Sequence, residues 1–109
     1  MRIELLTQEQ HDELLNIYKS FPELTLENKG YEGINKSVLS IEAQEANAKV
    51  NDILKNHIAG FSSFQNFKHN KDGEILLRFQ YNYAGDGGGT YFIGVGYILL
   101  TELLNGFNA

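Results

Sequence analysis

The sequence predicts an α+β fold: two N-terminal helices packed on a three-stranded antiparallel β-meander, with a short C-terminal helix. Three observations lead there. Apolar residues recur at helical spacing in the first half. From Glu74 to Tyr83, apolar and polar residues alternate, with Leu76 as the exception. Glycine and Asn/Asp turns separate the alternating runs. With 109 residues and 42% hydrophobic content, the chain reads as a single compact domain, 1–109.

The first helix carries its own punctuation. Thr7-Gln8-Glu9-Gln10 fits a capping box, and Leu14, Ile17, Tyr18 and Phe21 share one face. Pro22 restricts Phe21, so the helix should end near Lys19 or Ser20. Residues 22–37 are irregular. Leu24 and Leu26 suggest a short extended piece, Asn28-Lys29-Gly30 a turn, and Tyr31 and Ile34 core contacts. Ser37 or Ser40 caps the second helix. Its stripe holds Ala43, Ala46, Val50, Ile53, Leu54 and His57, and Gly60 stands past its end as a cap.

The β half begins less clearly. Phe61, Phe64 and Phe67 do not alternate, yet 62–69 is read as a strand leading into the turn Asn70-Lys71-Asp72-Gly73. From Glu74 to Tyr83 the alternation is sharp: Ile75, Leu77, Phe79, Tyr81 and Tyr83 form the apolar face. The Gly85–Gly89 cluster then leads to a third strand, Thr90 to about Tyr97. There Tyr91, Ile93, Val95 and Tyr97 share a face read mostly as core or its rim, opposite Phe92, Gly94 and Gly96. Tyr83 and Tyr91, beside the glycine cluster, are the tyrosines expected to be exposed. Ile98–Leu104 fits a helix capped by Gly106 in the left-handed region.

Composition narrows the function. There is no cysteine, which excludes thiol catalysis and Cys-based metal sites. His11, His57 and His69 lack metal-ligand spacing, so no metal and no cofactor is expected. His57 reads as a hydrogen-bonded histidine of the core or its rim. A formal charge of −5 without a basic run argues against direct nucleic-acid binding. The longest apolar run, Tyr97–Leu100, is far below the ~20 residues of a membrane helix, and the N-terminus does not resemble a secretory signal. A cytoplasmic protein without membrane contact is the expectation. The glycine cluster has strands on both sides and no Gly-Lys-Ser/Thr ending, so it is not read as a phosphate loop.

The remaining signal is a Tyr/Gly-rich hairpin. Two glycines at i and i+2 strip side chains from one strand face, which marks close approach by a backbone, a ring or a ligand. Placed beside Arg78, Gln80 and Asn82, they would form a bare floor with polar walls. The candidate partner- or ligand-binding set is Arg78, Gln80, Asn82, Tyr83, Asp86, Tyr91, Gly94 and Gly96. The expected function is a non-catalytic binding protein of the small acidic inhibitor or immunity type, bacterial or phage, antagonising a host protein or toxin. Its protein partner would be basic, steered by Glu9, Asp12 and Glu13. The alternative is an anionic or nucleotide-like small ligand on Gly94, Gly96 and Arg78. Open sheet edges suggest a homodimer.

Overall fold

A computed structural model describes residues 2–26, 38–84 and 91–107. The helices are α1 (Gln8–Ser20), α2 (Ile41–Leu54) and α3 (Leu100–Asn105). The strands are β1 (Phe61–His69), β2 (Ile75–Ala84) and β3 (Tyr91–Leu99), paired antiparallel in chain order. This is an α+β fold with a three-stranded open sheet. The turn at 28–30, Tyr31 and Ile34 lie outside the described residues.

Helix α1 starts and stops for local reasons. Thr7 Oγ1 accepts from Gln10 N at 3.1 Å, and Gln10 Oε1 accepts from Thr7 N at 3.0 Å. Pro22 ends the helix and opens a 3-10 turn over Pro22–Leu24. Leu14 and Ile17 are buried, and Tyr18 packs edge-on against Phe67 at 5.4 Å. Thr25 then bridges Phe67 in parallel, and Leu26 N donates to Phe67 O at 3.0 Å. The expected extended piece is therefore short and lies along β1.

Helix α2 is capped by Ser40, whose Oγ accepts from Ala43 N at 3.1 Å. Ala43, Ala46, Val50 and Leu54 are its buried residues, as the stripe requires. Two expectations are corrected here. The helix ends at Leu54 with Lys55 still in right-handed geometry, so Gly60 is not its cap. Gly60 instead lies against β2 at φ 76°, where a Cβ would stand 2.6 Å from Asn82 O. His57 lies beyond the helix, in the turn.

The three phenylalanines of β1 sit three residues apart because the strand is bulged. Register shifts fall between Phe61 and Ser63 and between Phe64 and Asn66. Each bulge inserts one residue and resets the alternation. Phe64 and Phe67 are thereby buried on one side, with Phe61 packed against the same core. They meet Leu77 and Phe79 of β2, Ile98 of β3, the inner faces of α1 and α2, and Leu100 and Leu103 of α3.

The sheet is tied to the helices by polar contacts as well. Phe64 N donates to Asn51 Oδ1 of α2 at 2.9 Å. The N-terminal segment joins the layers: Glu4 N donates to His57 O at 2.7 Å and Leu6 N to Leu103 O at 2.7 Å. Strand β3 continues two residues past the expected end, to Leu99, because Ile98 and Leu99 pair with Leu77 and Leu76. Gly106 has the expected positive φ of 85°, but its ψ of 173° is extended rather than left-handed helical.

Asn51 satisfies a main-chain donor of bulged β1 from a part-buried position. Asn51→Ala should cost about 1–3 kcal/mol. Urea unfolding should show a lower midpoint with an unchanged slope.

Candidate interaction surface

The glycine-bearing flank of β3 is occupied by the chain itself. In the β2–β3 register, Phe79 pairs with Gly96, Tyr81 with Gly94 and Tyr83 with Phe92. Directly paired residues share a face of a sheet. A Cβ at Gly96 would stand 2.7 Å from the Phe79 ring, and one at Gly94 2.6 Å from the Tyr81 ring. The glycines make room for two aromatic rings that lean over the edge strand.

This corrects the expected patch. Arg78 pairs with Tyr97, Gln80 with Val95 and Asn82 with Ile93, all on the opposite face from the glycines. Gly94, Gly96 and Arg78 therefore do not assemble a common floor and wall. Arg78 is itself buried at 3% exposure, beside the buried Asn66 with which it pairs on β1. Gln80 is half-buried, with Ser63 Oγ 3.4 Å from its Oε1, whereas Asn82 is exposed. Asp86 and the Gly85–Gly89 loop lie outside the described residues. Tyr91 opens β3 opposite Ala84.

The same register exposes residues that sequence reasoning assigned to the core or its rim. Ile93, Val95 and Tyr97 project from the outer face, with exposures from 41% at Val95 to 65% at Ile93. The missed signal was volume. Bulky Phe79 and Tyr81 demand small residues beside them, so the glycines belong with those rings and the β-branched residues must point away. Lys68 of β1 reaches across the middle strand to within 5.3 Å of the Tyr97 ring centroid, a cation–π distance.

On the inner face the aromatics form a chain running out of the core. Phe61–Phe79, Phe79–Tyr81 and Tyr81–Tyr83 have centroids 6.2, 6.1 and 5.8 Å apart. The chain ends on Phe92, stacked on Tyr83 at 5.6 Å and 27°. Tyr83 and Phe92 are both about half exposed.

The acidic positions lie elsewhere. Glu9, Asp12 and Glu13 belong to α1, whose buried side joins the core on the inner face of the sheet. Glu13 Oε1 lies 2.7 Å from Lys49 Nζ, a bond that raises the lysine above its ordinary value. Hydrogen bonds from His11 and then Gln8 hold the Asp12 carboxyl below its ordinary value. His57 Nδ1 lies 2.9 Å from the main-chain carbonyl of Glu4, so its ring is engaged by backbone. Among the described residues no group of three or more His, Asp or Glu could hold a metal ion, and no helix is long and apolar enough to cross a membrane.

Comparison with known proteins yields no matching family model, no similar curated protein and no similar solved structure.

Gly96→Ala and Gly94→Ala should each destabilise the fold by about 1–3 kcal/mol through overpacking against Phe79 and Tyr81. Thermal unfolding of the two variants checks this. Combining Gly96→Ala with Phe79→Leu should return part of the loss.

Proposed function

We propose that this chain is a non-catalytic binding protein that captures a protein partner on the outer face of the β2–β3 ribbon. Its small size and acidic balance suit an inhibitor or immunity role. The observation that carries the reading is the uncovered row Ile93, Val95 and Tyr97. At alternate positions on one face of β3, they offer an apolar strip. Such strips on soluble proteins mark interaction sites more often than isolated apolar residues do. Tyr97 has the properties of an anchor: large, stiff and amphipathic. The stacked Tyr83–Phe92 pair lies on the inner face and is not part of this strip.

Contact and steering separate in this arrangement. The strip on β3 is apolar, with Gln80 and Asn82 of β2 beside it and Lys68 at its margin. The overall charge of −5 acts on approach, over about one Debye length, and favours a basic partner. Arg78 drops out as a contact residue because it is buried, so its replacement acts on stability first.

Tyr97→Ala and Ile93→Ala should each weaken capture about tenfold or more, the range of interface hot spots. Immobilised protein exposed to a host lysate identifies the partner, and titration of that partner gives the affinities. Lys71→Ala, in the exposed β1–β2 turn, should bind as the parent does. Parent-like binding by both Tyr97→Ala and Ile93→Ala would remove this reading.

A further inference from the structure

The two edges of the sheet are unlike. On β1, the outward main chain is engaged: Thr25 bridges Phe67, Leu26 N donates to Phe67 O, and Asn51 takes the N–H of Phe64. Strand β3 pairs with β2 alone among the described residues.

Hydrogen-bond phase shows which groups of β3 face outward. Asn82 N donates to Gly60 O, and Asn70 N donates to Glu74 O, at opposite ends of β2. Both direct the even-numbered residues of β2 toward β1. In an antiparallel sheet, successive residues point their N–H and C=O to opposite sides, so odd-numbered β2 residues face β3. These pair with even-numbered β3 residues. Ile93, Val95 and Tyr97 must then present their N–H and C=O groups to the open edge. Leu99 provides a check from β3 itself: its N–H turns away from β2 and donates to Glu102 Oε1 at 2.9 Å. That bond also closes the edge at its C-terminal end.

We propose that β3 pairs antiparallel with β3 of a second copy, about a two-fold axis through Val95, and that the capture surface is completed by this pairing. The second half of the proposal rests on the capture reading above; the pairing does not. Four features favour a second copy as the occupant. Strand β3 contains no charge and no proline, the usual devices that keep edges apart. Only β3 is open among the described edges, so two copies meet through it isologously. Val95 is the midpoint of Tyr91–Leu99, so a dyad there aligns the two strands end to end, with the main-chain bonds made among Ile93, Val95 and Tyr97. The sequence is self-complementary in size about that point: Ile93 falls beside Tyr97 of the second copy, Val95 beside its mate, and Gly94 beside Gly96.

The hydrogen-bond phase permits this register. Outward-facing residues meet outward-facing residues, closing about six main-chain bonds across the dyad. Each outer face keeps its side chains in place. The row Ile93, Val95, Tyr97 becomes two adjacent rows, and Ile beside Tyr is a favourable cross-strand pair. One copy alone offers half of that surface.

The parent protein should sediment at twice 12.3 kDa at about 0.1 mM, far above a micromolar dissociation constant. Val95→Lys places like charges opposite one another at the dyad and should return the mass to that of one chain, with an unchanged circular dichroism spectrum. Because the chain has no cysteine, Val95→Cys provides a second measurement. A short bismaleimide should join two Val95→Cys chains, and should not join two Asp72→Cys chains, whose cysteine lies in the β1–β2 turn. A single-chain mass for the parent, or a dimer mass retained by Val95→Lys, overturns the pairing. Parent-level partner capture by a monomeric Val95→Lys overturns the second half and, because Val95 lies in the capture strip, counts against that strip as the contact as well. A dimer mass with no partner captured supports the pairing and counts only against the capture reading.

Discussion

The register between β2 and β3 is the constraint from which the rest of the surface follows. It is held by shape: the rings of Phe79 and Tyr81 lie where side chains on Gly96 and Gly94 would be. A slip of one residue would bring Val95 and Tyr97 beneath those rings and turn every β3 side chain to the wrong face. The fit therefore decides which residues are core and which are surface. It also sets which main-chain groups of β3 bond to β2 and which are left over.

Much of the fold was legible in the sequence because it is encoded locally. The Thr7–Gln10 box, the Ala43–Leu54 stripe and the alternation from Ile75 to Tyr83 each depend on neighbours a few residues away. The bulges of β1 were hidden because they exist only relative to β2. Period three in Phe61, Phe64 and Phe67 resembled noise until two inserted residues explained it. The expected juxtaposition of Arg78 with Gly94 and Gly96 came apart for a related reason. Alternation was correct within β2 and within β3, but pairing between strands has two parities, and alternation in one strand cannot choose between them. Odd residues of β2 meet even residues of β3, which separates Arg78 from the glycines.

The β3 strip that results is apolar, and the polar Gln80 and Asn82 stand beside it rather than beside the glycines. Arg78 is drawn into the sheet beside Asn66, while Lys68 extends over the face to Tyr97. The acids of α1 are partly engaged with Lys49 and His11. On the proposed capture face, charge would act at long range and close contact would fall mainly to Ile93, Val95 and Tyr97.

The unequal treatment of the two sheet margins has a consequence for assembly. A sheet open on both sides can recruit neighbours without end and grow into a fibre. Here Thr25, Leu26 and the Asn51 amide occupy one side, and Glu102 stops the other at Leu99. Association through the remaining strand would be self-terminating: once it is satisfied, no open edge is left among the described residues. The bulged and covered strand β1 would then limit what an uncharged β3 can recruit.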